Sequence, residues 1–204
     1  MGMNFFPPDP EIPEPEESES ERQPWWQAPE DELPVLLPVS ETLAVNDHLA
    51  LGLIGVAVYS DGVEFRLEGR LRRDGLPAAE WNELCADFVG HGPMGGPTNP
   101  AGRLRFGLVL GDGEKVLVEG FPYFGGEAQA SDTTAHSLSR NSAGASGGSH
   151  SYSSTDRLWL WPLPPEGPIE FVMQWPALDV DERRIVLDGS AMRDLATRVQ
   201  RFWD

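Results

Sequence analysis

The sequence predicts a mainly β protein: an antiparallel β-sandwich of about eight strands, followed by a C-terminal amphipathic helix. Three observations predict it. Several segments alternate apolar and polar residues with period two, turn residues such as Asp61-Gly62 and Gly111-Asp112-Gly113 separate them, and the β-α-β alternation of a parallel sheet is missing. Strands that follow one another through short turns must bury their apolar faces on one another, which favours a sandwich or a barrel.

The clearest strand is Gly62 to Arg73. Val63, Phe65, Leu67 and Leu71 fall on one face, and Glu64, Arg66, Glu68, Arg70 and Arg72 on the other. Period two with opposite charges interleaved marks a half-buried strand. The apolar run Leu51 to Tyr59 before it reads as a more buried strand. Ser60-Asp61-Gly62 makes a hairpin of the two, since Asp-Gly tolerates the positive φ that tight turns use. Leu104 to Leu110 and Val116-Leu117-Val118 form a second hairpin around Gly111-Asp112-Gly113. Arg157 to Trp161 and Ile169 to Trp175 form a third pair across the stiff link Pro162 to Pro168, and Ile185-Val186-Leu187 is a short last strand. The segment around Val35–Val45 completes the set.

Two insertions interrupt the strands. Trp81, Leu84, Cys85 and Phe88 share one face of a short helix over Pro77–Phe88. Residues 121–154, rich in Gly, Ser, Ala and Thr with few aliphatic side chains, read as a long flexible loop. The domain of residues 33–189 ends at a helix over 190–204, with Ser190 as N-cap and an apolar stripe of Met192, Leu195, Ala196, Val199, Phe202 and Trp203.

Formal charge is -18, and residues 1–32 hold ten acids against the single base Arg22, half of that total. Prolines at 7, 8, 10, 13, 15, 24 and 29 oppose both helix and strand there. A disordered acidic tail is therefore expected over 1–32. So strong an acidic excess argues against nucleic acids and anionic membranes, whose binding needs clustered Lys and Arg; a basic protein partner suits it better. The single cysteine, Cys85, allows no intrachain disulfide and no cysteine-based metal centre. The first residues lack a basic and apolar leader pattern, and the longest near-apolar run, Leu49 to Val58, is too short to span a bilayer, so a cytoplasmic location is expected. Lys115 is the only lysine among 15 basic residues, a bias that suggests a GC-rich genome.

Two strings match familiar signatures by letter alone. Gly90-His91-Gly92-Pro93-Met94-Gly95 satisfies G-x-G-x-x-G, but Gly96-Pro97-Thr98-Asn99-Pro100 cannot open the helix that a dinucleotide site requires. Gly144-Ala145-Ser146-Gly147-Gly148 satisfies G-x-S-x-G inside a Gly/Ser-rich run, where no strand-to-helix elbow is expected. His48, His91, His136 and His150 show no ligand spacing, although His136 and His150 share one segment with Asp132 and Asp156. Asp179, Asp181 and Glu182 lack the glycine and oxygen pattern of a calcium loop and read as an acidic turn. No catalytic residue, metal or cofactor is assigned from these patterns.

Tryptophans are the remaining candidates for binding. Trp25-Trp26 interrupts the acidic segment, and adjacent indoles are costly to leave in water. They are expected to fold back and anchor the first strand, with docking into a partner as the alternative. Trp159 and Trp161 share a strand face opposite Leu158 and Leu160. That face is expected to meet the helix, the N-terminal segment or a ligand such as a glycan.

The run Pro24-Trp25-Trp26 … Glu32-Leu33-Pro34, the strand Val63 to Arg73 and the segment Leu158 to Pro165, continuing to Trp175-Pro176, resemble a group of uncharacterised actinobacterial proteins. Trp161-Pro162-Leu163-Pro164-Pro165 is the most specific part of the resemblance, which would span most of residues 24–204. It implies no activity and no site. The expectation drawn from the sequence is a non-enzymatic interaction or structural β-sandwich. A small-molecule or glycan-binding module and an unrecognised hydrolase are the alternatives.

Overall fold

The computed structural model describes residues 22–89, 102–118 and 135–203. In chain order the strands are β1 (Glu32–Leu33), β2 (Val35–Leu37), β3 (Glu41–Val45), β4 (Leu49–Val58) and β5 (Val63–Arg72). Helix α1 (Ala78–Phe88) precedes β6 (Arg105–Val109), β7 (Lys115–Leu117), β8 (Ser137–Gly147), β9 (Ser151–Trp161) and β10 (Pro168–Trp175). A 3-10 turn at Pro176–Leu178 leads into β11 (Val180–Asp188), α2 (Gly189–Ala196) and β12 (Gln200–Arg201). The described residues are mainly β, with antiparallel pairing throughout the three sheets.

The largest sheet runs β2-β4-β5-β9-β8, with β3 beside β2 on the same edge of β4. Residues 35–45 make two strands because Pro38 has no amide to donate and a bulge at Ile54 shifts the register opposite it. A second sheet runs β11-β10-β6-β7, and β1 pairs β12 in a short ribbon. Among the described residues, twelve strands in three sheets thus replace the eight expected. The additional ones carry no apolar alternation to betray them.

The inward faces of the two larger sheets meet in one core. Phe65 on β5 lies 5.5 Å from Phe171 on β10, and Phe106 on β6 lies 6.1 Å from the same ring. Leu53, Leu67, Leu158, Leu160, Ile169 and Met173 fill the space around them, each fully or almost fully buried. Each such side chain contributes about 1.5–3 kcal/mol relative to exposure. On one side Val118, just past β7, bridges Leu138 of β8; on the other, Asn46 Nδ2 donates to Leu178 O at 2.8 Å.

Helix α1 buries Trp81 and Phe88 and half-buries Leu84 and Cys85, the face its spacing predicts. Trp81 Nε1 donates to Gly148 O in the β8–β9 turn at 3.1 Å, and Phe88 stacks on Trp175 at 5.6 Å. Phe88 also lies over Gly69, where a Cβ would come within 2.2 Å of the ring, so the helix seats only because β5 has no side chain there.

Four further expectations need correction. The third strand pair is not a hairpin: β9 belongs to the larger sheet and β10 to the smaller, and the Pro-rich link carries the chain between them. The flexible loop over 121–154 is instead regular from Ser137 onward, because β8 pairs β9 from Ser137↔Trp161 to Gly147↔Tyr152; residues 119–134 lie outside the described residues. The helix over 190–204 stops at Ala196, and its N-cap is Asp188, whose Oδ1 accepts from Ser190 N at 2.9 Å and Ala191 N at 3.1 Å. Beyond it Gln200–Arg201 pairs with Glu32–Leu33 and Phe202 N donates to Asp31 O at 2.8 Å, so backbone pairing outcompetes another helical turn. Met192, Leu195 and Ala196 pack as predicted, whereas Phe202 and Trp203 stand exposed.

The fourth correction is the tail. Residues 22–32 are ordered against the larger sheet, and residues 1–21 lie outside the described part. Gly62 departs in its reason rather than its place. Its φ is not positive, unlike that of Gly113 in the second hairpin. A side chain at 62 would instead meet the Trp159 ring within 2.5 Å.

Candidate functional site

The outward face of the larger sheet gathers most of the residues singled out from the sequence. Register places Glu64, Arg66, Glu68 and Arg70 on β5 opposite Trp159, Arg157, Thr155 and Ser153 on β9. Those in turn stand opposite Ser139, Asn141, Gly144 and Ser146 on β8. On the other flank β4 offers Ala57, Gly55, Gly52 and Ala50. The face is therefore a row of charge between two lanes of small residues.

One end of this face is covered. Residues 22–28 cross it, and Trp159 Nε1 donates to Pro24 O at 2.7 Å. Ser137 Oγ donates to Trp25 O at 3.3 Å, Ser139 Oγ to Trp26 O at 3.0 Å, and Asn141 Nδ2 to Trp26 O at 3.3 Å. Arg22 closes the crossing on Asp61, with Nη2 at 2.9 Å from Oδ2 and 3.2 Å from Oδ1. Serines that read as loop composition are thus buried anchors: their hydroxyls satisfy carbonyls that would otherwise be stranded on a sheet.

All four candidate tryptophans lie at this covered end. Trp159 is 2 % exposed and packs edge-on against Tyr59 at 5.5 Å, with Ala57, Ala28 and Trp161 around it. Trp25 and Trp26 are half-buried, their rings 6.1 Å apart in an edge-to-face pair. Trp25-Trp26 folds back onto β8 through its backbone carbonyls, and Pro24 and Ala28 on either side of it close the aromatic platform that a glycan would need at Trp159. Burial first, and then the Glu64 carboxylate, push the Tyr59 hydroxyl above its ordinary range.

The remainder of the face is open and carries an arginine row that the tryptophan-centred reading missed. Arg66 Nε bonds the buried Glu64 at 2.9 Å, Arg157 Nη1 lies 3.7 Å from the same carboxylate, and Arg70 Nη2 bonds Glu68 at 2.7 Å. Arg72 donates through Nε to Asp47 O and lies 3.8 Å from its carboxylate. Alternation showed these side chains on one face, but only the pairing of β5 with β9 brings Arg157 beside Arg66.

A second polar cluster is enclosed in the core at the carboxyl end of α1. Arg140 Nη2 donates to Phe88 O and to Asp156 Oδ2, the latter at 2.9 Å, and the guanidinium lies 5.4 Å over the Phe106 ring. Ser154 Oγ also donates to Asp156 Oδ2, at 3.3 Å, while Asp156 Oδ1 has no protein partner. Burial raises the nearby Asp87 carboxyl, opposed by the Leu104 amide at 3.0 Å, by the Trp175 indole and by Arg140. The indole acts short of full hydrogen-bond geometry, since its Nε1 has no partner. Arg140 thereby ties the Phe88 carbonyl at the end of α1 to Asp156 on β9, a holding role.

The other sequence candidates do not converge. His136 Nδ1 lies 2.6 Å from Glu114 Oε2 beside the β6–β7 turn, whereas His150 sits at the far end of the β8–β9 hairpin. Ser146 of the G-x-S-x-G string lies on antiparallel β8 and contacts Ser153 at 3.1 Å, with no strand-to-helix elbow. The G-x-G-x-x-G string lies outside the described residues. Among the described residues, no group of three or more His, Cys, Asp or Glu side chains is placed to hold a metal ion. No described helix is long and apolar enough to cross a membrane. No protein-family model, curated protein or solved structure matches the chain.

Proposed function

We propose that this protein is a non-enzymatic β-sandwich that works by binding, with the open part of the larger sheet's outer face as its contact surface. The carrying observation is that face itself. Arg70, Arg72 and Arg157 project, exposed, between lanes of Ala, Gly, Ser and Thr that leave room for an incoming chain beside them. Arginine suits such a surface because its planar fork bonds carboxylates in pairs and is weakly hydrated. The polar cluster inside the core supports the same reading, since Arg140 and Asp156 are engaged with α1 and each other. A glycan-binding reading loses support where the N-terminal segment covers Trp159.

A photoreactive side chain placed at Ser153 in the full-length protein tests this surface. Irradiation in lysate of the native host is expected to give a discrete intermolecular product from Ser153 and none from a control at Arg183 on β11. Equal labelling from both positions, or none from either, would overturn the assignment.

A further inference from the structure

We infer that the partner of this contact surface is an extended acidic segment of another protein. It sets carboxylates against Arg70, Arg72 and the Arg66–Arg157 pair, and none against Glu68. The inference rests on the contact surface proposed above and names the chemistry that fills it.

The sign of the face differs from that of the chain. Arg66, Arg70, Arg72 and Arg157 stand there against Glu64 and Glu68, a surplus of two positive charges, and Asp47 at the rim beside Arg72 still leaves one. The outward positions of the flanking strands add no charge: Ala50, Gly52, Gly55 and Ala57 on β4, and Ser139, Asn141, Gly144 and Ser146 on β8. The chain as a whole carries -18, which taken alone favours a basic partner. At physiological ionic strength the screening length is about 8 Å, so a segment lying on the face meets the side chains beneath it rather than the distant total.

The row has donors to spare. Arg70, Arg72 and Arg157 are each more than half exposed. Arg157 lies 3.7 Å from Glu64, outside hydrogen-bond range, while Arg66 bonds the same carboxylate at 2.9 Å. A guanidinium carries five N–H donors in a planar fork, so one that already meets a carboxylate can take up a second.

Spacing sets the pattern of the partner. At about 3.3 Å per residue, alternate residues of a strand stand about 6.6 Å apart. Arg66, Glu68, Arg70 and Arg72 are such alternate residues of β5, and register sets Arg157 opposite Arg66. An extended segment laid along the row repeats the same interval. Acids at its first, fifth and seventh positions, with a hydroxyl at its third, then match the order of charges beneath. A nucleic acid fits less well, because it would set a phosphate against Glu68 and find no ring in the described row on which to stack a base.

The full chain is titrated with the end-blocked peptide Glu-Thr-Ser-Thr-Glu-Thr-Glu while backbone amide shifts are followed by NMR. Saturable shifts are expected along residues 66–72 and 153–157, lost at about 1 M salt, where the screening length is about 3 Å. Arg70→Glu with Arg72→Glu should weaken binding about tenfold or more, with the remaining amides reporting an intact fold. The peptide Lys-Thr-Ser-Thr-Lys-Thr-Lys should leave the same amides unmoved. Shifts that are absent, equalled by the lysine peptide, unchanged by the double substitution, or exceeded by those from a seven-residue oligothymidylate would overturn the inference. Sequencing the segment cross-linked at Ser153 keeps the two readings apart. An acidic segment there, together with the peptide shifts, supports both. A product without acidic residues sinks the acidic partner and keeps the surface, whereas no product removes the surface and this inference with it.

Discussion

Burial raises the Asp87 carboxyl because the neighbouring Leu104 amide, Trp175 indole and Arg140 guanidinium only partly offset its lost hydration. The sign of the consequence follows from proton linkage. A carboxyl with a raised folded pKa binds its proton more tightly in the folded state. It therefore contributes stability below the ordinary carboxylate range, and that stability is lost as pH rises through the raised value. Asp87→Asn keeps an oxygen for Leu104 N and removes the charge. It should melt higher than wild type at pH 7 to 8, with the gap closing toward pH 4; thermal melts across that range check it. Arg140 and Asp156 form a buried ion pair at 2.9 Å. Arg140→Met alone strands a buried carboxylate and should cost about 3–5 kcal/mol, whereas Arg140→Met with Asp156→Leu should cost less than the sum of the single changes. Urea titration of the three variants measures the coupling.

Elements here are defined by how they meet as much as by their own residues. The β6–β7 turn packs backbone to backbone on the Pro-rich link, and a Cβ on Gly111 would come within 2.2 Å of Glu166 O. Neither side can yield, because one is a tight turn and the other a proline-stiffened crossover. Gly111→Ala should destabilise by about 1–3 kcal/mol, the usual cost of overpacking, and lower the urea midpoint without changing the slope. Alternation located β5, β6 and β10, and a continuous apolar run located β4, since each presents a full apolar row to the core. It missed β8, whose distal half alternates Ser, Gly and Ala. Beyond its first residues that strand has no apolar face to display, and its pairing with β9 and its hold on the N-terminal segment define it. It also extended α2 too far, because Val199, Phe202 and Trp203 continue a helical stripe that β1 interrupts from outside.

At the scale of the whole molecule, sequence-local properties determined a good deal. A mainly β body, antiparallel pairing, an α1 face of Trp81 to Phe88 and an acidic N-terminal excess all follow from periodicity, turn residues and charge, which act between near neighbours in the chain. Tertiary structure decided the rest. Which strands share a sheet, that the Pro24–Ala28 segment covers Trp159, and that Arg157 joins the β5 arginines depend on contacts between residues about 90 to 135 positions apart. No local pattern encodes those, because a carbonyl at Pro24 or a guanidinium at Arg157 looks the same in sequence whichever partner it meets. The fold class is thus a property of short-range chemistry, and the candidate surface is a property of how the sheets are assembled.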